Sequence, residues 1–201
     1  MSGAVRVAVL ASGGGSNLQA ILDYQDDLDA RGGARAADVV LVASDRASAQ
    51  ALARARTRGI ATAVLPDPAD AAALTALLEQ HGVELIALAG YLKRVPAAVT
   101  ARWAGAIVNV HPALLPRFGG PGMYGIHVHR AVLAAGETGS GATVHFVDDV
   151  YDHGAVIAQA RVPVHGDDTP ETLAARVLAA EHALYPRTLH EVASMLMRQR
   201  R

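Results

Sequence analysis

The sequence predicts an α/β fold, a doubly wound, mostly parallel sheet with helices on both faces. Two observations lead there. Short apolar runs recur at 5–11, 39–43, 61–65, 85–89 and 106–110, and they are polar only at their ends. Alanine-rich stretches of helical character separate the early runs, around 18–28, 47–58 and 69–80. Strands buried on both faces read as continuous apolar runs, and alternation with helices is the mark of βαβ units. In such sheets ligands bind beyond the carboxyl ends of the strands.

The first run leads into Ser12-Gly13-Gly14-Gly15-Ser16-Asn17-Leu18-Gln19. Glycines let backbone approach a ligand closely, and Ser16 or Asn17 can cap the helix that follows. Free amides at a positive helix end favour an anion, most often phosphate. The alternative is a tight turn with no ligand. No Lys-Ser/Thr pair follows, so this is not a P-loop, and Asn17 or Leu18 stands where a dinucleotide fingerprint needs its third glycine. A small phosphate monoester fits best.

The fifth run ends in Asn109-Val110-His111-Pro112. Pro112 has no backbone donor and ends a central strand. Asn109 and His111 lie two apart, so their side chains leave one face of an extended segment. A carboxamide donor beside an imidazole that titrates near neutrality suits a developing oxyanion. The bland alternative is a satisfied structural histidine.

Beyond this point the pattern changes. Residues 112–126 read as a loop crowded with Pro116, Gly119, Gly120, Pro121, Gly122 and Gly125. A helix is expected over 128–135, then strands over 142–147 and 155–162. The loop between those strands carries Asp148, Asp149, Asp152, His153 and Gly154. Carboxylates there are solvated or engaged. One of them beside His111 would raise the imidazole pKa and favour imidazolium. Thr169 and Pro170 open a last helix as N-cap and first helical residue, running to about Tyr185, where Pro186 interrupts or restarts it.

Composition narrows the function classes. The 201 residues are 51% apolar with a formal net charge of −1, and they suit one domain over 1–201. Its halves would be a phosphate-binding 1–105 and a catalytic 106–201. Neither a disordered chain nor a general nucleic-acid binder is indicated. The basic run Arg198-Gln199-Arg200-Arg201 reads as a frayed, solvated end. The absence of cysteine excludes disulfides, thiolate metal sites and a Cys nucleophile. The first apolar run is too short to span a membrane and lacks a signal-peptide layout, so cytoplasmic location is the default. His127, His129, His145 and His153 with the aspartates show no zinc-site spacing, so no metal is expected.

These motifs together resemble the folate-dependent formyltransferases, in their glycinamide ribonucleotide branch. The likeness runs nearly end to end, through residues 12–21, 88–94, 109–116, 127–133, 141–147, 152–154 and 180–186. It implies transfer of the formyl group of 10-formyltetrahydrofolate to the amine of glycinamide ribonucleotide, a step of purine synthesis. Asn109, His111 and Asp152 would be the catalytic set, with Asn109 and protonated His111 donating to the oxyanion. Asp152 would keep His111 charged and help to shuttle a proton.

The resemblance also implies binding residues. Gly15, Ser16 and Asn17 would hold the substrate phosphate, and Glu181 with the turn before it, Leu178, Ala179 and Ala180, the rest of the ribonucleotide. The folate would lie along Leu92, Lys93, Arg94 and Val95, with Asn109 and the loop Asp148, Asp149, Val150, Tyr151 and Asp152. Only small-molecule partners are implied, with no nucleic acid or membrane, in a monomer or homodimer. The chain departs from the family twice. Residues 117–126 are longer than the usual segment, and Asp67 to Ala72 replace a folate-tail arginine, which leaves Lys93 or Arg94 for the glutamate tail. A formate-releasing hydrolase and a non-catalytic phosphate-binding module are the rival readings.

Overall fold

The computed structural model describes residues 3–200. Five parallel strands, β1 (Val5–Leu10), β2 (Ala37–Ser44), β3 (Ala61–Val64), β4 (Leu85–Leu88) and β5 (Ile107–His111), are extended by antiparallel β6 (Gly139–Phe146) and β7 (Val156–Pro163). The sheet order is β3-β2-β1-β4-β5-β6-β7. Side chains alternate across a strand, so β1 feeds two cores. Val5, Val7 and Val9 pack with Leu18 and Ile21 of α1 (Ser16–Ala30), Leu52 of α2 (Gln50–Thr57) and Leu189 of α6 (Pro170–Gln199). Ala8 and Leu10 pack on the other face with Leu74 and Leu78 of α3 (Ala71–Gln80) and Val99 of α4 (Ala97–Arg102). Each fully buried Val or Leu stabilises the fold by roughly 1.5–3 kcal/mol. The short α4 has too few residues to show a period and was not anticipated.

α5 (Ile126–Ala134) starts two residues before the expected helix. α6 is capped as anticipated: the Thr169 hydroxyl accepts from Thr172 N at 3.3 Å, Thr172 Oγ1 accepts from Thr169 N at 3.0 Å, and Pro170 opens the helix. Its length corrects the expectation. Pro186 lies inside a continuous helix of 30 residues. A mid-helix proline costs about 3 kcal/mol through its lost hydrogen bond and ring clash. Leu189, Val192 and Ala193, all buried after the proline, offset that cost. Tyr185, just before it, is fully buried and points its hydroxyl at Leu88 O (3.0 Å) and Val108 O (3.2 Å), pinning α6 to β4 and β5. Residues 198 and 199 are helical, and Arg200 pairs with Glu84, which corrects the frayed-end reading; Arg201 lies outside the described residues.

Candidate active site

β1 lies between β2 and β4, so the chain reverses its direction of winding there. The carboxyl ends of β4 and β5 open at this switch point into a cavity of about 580 Å³, within the range of small-molecule sites. Asn17, Asn109, His111, Asp152, Leu178 and Glu181 all line it.

The register of β5 against β6 sets Asn109 opposite His145 and His111 opposite Thr143. Both imidazoles are anchored by backbone carbonyls: His111 Nε2 to Phe118 O at 2.8 Å and His145 Nδ1 to Phe146 O at 2.7 Å. A carbonyl only accepts, so these ring nitrogens carry hydrogens. The opposite nitrogens face one carboxylate. Asp152 Oδ2 lies 3.4 Å from His111 Nδ1, and Oδ1 lies 3.5 Å from His145 Nε2. Gly120 N–H donates to Asp152 Oδ2 at 2.9 Å, and Asn109 Nδ2 donates to His145 Nε2 at 3.1 Å.

Two backbone features deliver Asp152. Its φ is 55°, a left-handed conformation that Asp tolerates better than most residues. Gly154 lies so close to β6 that a Cβ would stand 1.9 Å from Phe146 O. Only glycine fits there, which is the physical reason for a glycine two residues after the aspartate.

Burial holds the His111 pKa below the ordinary imidazole value, although Asp152 and the Phe118 hydrogen bond pull it upward. This corrects the expectation of a resting imidazolium: desolvation at a site this buried outweighs one carboxylate. Burial also pushes the Asp152 carboxyl up, but the adjacent His145 and His111 imidazoles and the Gly120 N–H together hold it below the usual range. The resting pair is therefore carboxylate and neutral imidazole. His111 Nδ1 can offer a hydrogen only after it has taken up a proton.

At the far end of the cavity, Asn17 Nδ2 donates to Glu181 Oε2 at 2.6 Å, while Asn17 Oδ1 is buried without a partner. Burial pushes Glu181 up to about 7, against the lowering effect of Asn17. The cap of α1 is Gly15, and no side chain caps it, contrary to the expectation for Ser16 or Asn17. The Asn17 amide is already committed to Glu181.

Leu178 and Glu181 are three apart on α6 and share the face that lines the cavity. The intervening Ala179 and Ala180 do not line it, a correction that follows from helical rotation in what the sequence suggested was a turn. Gly15 is buried behind the loop, and Ser16 faces an adjoining groove with Arg54 and His182. Of the residues expected around the phosphate, Asn17 alone therefore reaches the main cavity.

Leu92, Lys93, Arg94, Val95, Asp148, Asp149, Val150 and Tyr151 also line the cavity. Ser12 Oγ accepts from Leu92 N at 2.9 Å, and Arg94 Nη2 donates to Asp149 O at 2.6 Å, which ties the two segments together. Val150 and Tyr151 are 58% and 48% exposed, leaving apolar surface uncovered at the rim. The extended segment supplies Met123 and Tyr124 to the same cavity.

Sequence reasoning did not assign His145, the Phe118 carbonyl, or His129, which is buried with Nδ1 unpartnered and lines the cavity. An imidazole inside the apolar run 141–147 was the available signal for His145. Among the described residues no cluster of three or more His, Cys, Asp or Glu is placed to hold a metal, and no helix is long and apolar enough to cross a membrane.

A mostly parallel sheet with two antiparallel strands at one edge thus brings Asn109, His111 and Asp152 to one small-molecule cavity at the carboxyl end of β5. Residues 5–189 match the Formyl transferase family model, and the chain belongs to that family. It is 43% identical over 187 residues to the chloroplastic phosphoribosylglycinamide formyltransferase of Arabidopsis thaliana, covering 90% of this chain and 62% of that protein. Identity to the phosphoribosylglycinamide formyltransferase of Escherichia coli (strain K12) is 39% over 188 residues, 90% of this chain and 84% of that one. The crystal structure of the Anaplasma phagocytophilum phosphoribosylglycinamide formyltransferase matches with a TM-score of 0.85 at 36% identity, over 95% of this chain and 88% of that one.

Proposed function

We propose that this protein transfers the formyl group of 10-formyltetrahydrofolate to the primary amine of glycinamide ribonucleotide, in purine biosynthesis. The observation that carries the proposal is the Asp152 carboxylate set 3.4 Å from His111 Nδ1, in a cavity that Asn109 also lines, in a chain of the formyl transferase family. The 1–105 half would hold the phosphate end of the ribonucleotide and one wall of the folate site, and the 106–201 half the other wall, Glu181 and the chemistry. Asn17 and Glu181 would hold the ribonucleotide, Glu181 through the ribose hydroxyls. Leu92, Val95, Val150 and Tyr151 would pack the pterin, with backbone groups of 148–152 reading its polar edge. Arg94 is committed to Asp149 O, so exposed Lys93 is the cation left for the glutamate tail.

In the reaction the attacking amine adds to the formyl carbon and becomes cationic while the formyl oxygen becomes an oxyanion. Asp152, ionised at rest, would accept the amine proton directly or through a water. His111 would take that same proton from Asp152 at Nδ1 as negative charge grows beside it, becoming a donor on both nitrogens while Phe118 O keeps the ring in place, before the proton moves on. Asn109 would supply a neutral donor to the same oxyanion. Return of the proton to the folate nitrogen would release tetrahydrofolate. Holding both substrates in register supplies much of the remaining acceleration. No covalent intermediate with the protein is required.

The test is the formation of tetrahydrofolate from 10-formyltetrahydrofolate with and without glycinamide ribonucleotide. Ribonucleotide-dependent turnover supports the proposal. Equal turnover without it would identify a hydrolase, and binding of both ligands without turnover a non-catalytic module.

A further inference from the structure

The glycine turn is held from behind by α2. Ala51 N–H donates to Gly13 O at 3.1 Å, and Arg54 Nε donates to Gly14 O at 2.8 Å. Arg54 Nη1 also donates to Gln19 Oε1 at 2.9 Å, in the first turn of α1. In a trans peptide the C=O and the next N–H point in opposite directions. Tying back the Gly13 and Gly14 carbonyls therefore turns the N–H groups of Gly14 and Gly15 away from α2. Neither of those N–H groups finds an acceptor among the described residues. Gly15, at φ 70°, completes the curve, and a Cβ there would stand 2.8 Å from Ala51. Successive outward N–H groups next to a helix N-terminus form an anion-binding concavity.

Among the described residues Arg54 is not ion-paired, unlike Arg31, Arg35, Arg58 and Arg176. Its guanidinium has no carboxylate partner among the described residues, and Nη2 makes no hydrogen bond there. Its hydrogen bonds end on a carbonyl and a carboxamide oxygen, and the carboxylates that line the same groove, Asp23 and Asp27, are engaged by Gln19, Arg58 and Arg31. Arg54 and Ser16 line the same groove. Leu178, the residue of α6 that faces the main cavity one turn before Glu181, is apolar and brings no charge of its own.

We propose that Arg54 is a positioning residue for the substrate phosphate, an inference that rests on the ribonucleotide reading above. It holds the Gly14 peptide so that its amide end faces the anion, and it supplies the positive charge that the turn lacks. It acts on binding of the phosphate rather than on formyl transfer.

The experiment compares wild type, Arg54→Gln and Arg54→Lys in two ways. Inorganic phosphate is titrated by calorimetry, and steady-state kinetics are measured with glycinamide ribonucleotide and with its dephosphorylated riboside. Arg54→Gln is expected to weaken phosphate binding and to raise KM for the ribonucleotide by roughly tenfold or more, the scale of one lost charge-assisted hydrogen bond. Its kcat should fall by less than about threefold, with the folate KM and the riboside kinetics close to wild type. Arg54→Lys should recover part of the phosphate affinity, because it keeps the charge and one donor. Unchanged phosphate affinity in Arg54→Gln overturns the proposal. So does a loss shared equally by ribonucleotide and riboside, or a joint rise of both substrates' KM with a fall in Tm. If wild type fails to turn over the ribonucleotide, the substrate reading falls while the phosphate titration still judges Arg54.

Discussion

Replacing Glu181 by Gln isolates the electrostatic cost of burying a carboxyl at the Asn17 end of the cavity. Glu181 is 7% exposed, and its carboxyl is pushed from an ordinary 4.5 up to about 7 by burial, with only the Asn17 amide opposing. The folded chain therefore keeps this proton up to about pH 7, whereas the unfolded chain releases it near 4.5. Between those values the folded state binds more protons, so the contribution to stability is fully present below 4.5 and is lost as pH rises through 7. The whole displacement corresponds to about 3 kcal/mol, most of it falling between about pH 5 and pH 8. Gln at this position has no charge to bury and still offers Asn17 Nδ2 a carbonyl oxygen. Urea unfolding of both proteins across that pH range is the assay. The variant should gain on wild type steadily with pH, by about 2–3 kcal/mol at the alkaline end. Parallel profiles would refute the reasoning, because the Glu181 carboxyl would then titrate alike in both states.

His111→Ala should remain folded and lose about 10²–10³ in kcat, the usual cost of one oxyanion donor; turnover near wild type would remove His111 from the mechanism. Asp152→Asn takes away the carboxylate that pulls the His111 pKa upward, so the imidazole should titrate still lower by NMR, and turnover should fall with it. An unmoved titration would show that the two groups do not interact. Tyr185→Phe removes the hydroxyl donated to Leu88 O and Val108 O and should destabilise the fold by about 1–3 kcal/mol in denaturant; a change below about 0.5 kcal/mol would show that α6 is held by packing alone.

Much of this was legible in local sequence because the responsible physics is local. Continuous apolar runs marked strands covered on both faces, Thr169-Pro170 marked the start of α6, and Asn109 with His111 showed at one strand end by spacing alone. Asp152 was placed with them only through a resemblance, since nothing short-range joins residues so far apart. What stayed hidden depends on balances between distant parts. Whether α6 stops at Pro186 is decided by the burial of Leu189 and Val192 against the sheet, not by the proline itself.

The sequence by itself determined most of the strands and helices and the glycine turn at the head of α1, and the resemblance alone grouped 92–95 with 148–152. Tertiary structure alone decided that His145 stands opposite Asn109, that Asp152 lies between two anchored imidazoles, and that Arg54 braces the turn from another helix. It also decided the charge state of His111, which burial leaves neutral at rest. The physical reason is common to all four. Strand register, desolvation and a hydrogen bond between helices are properties of segments brought together by folding, and no window of neighbouring residues contains them.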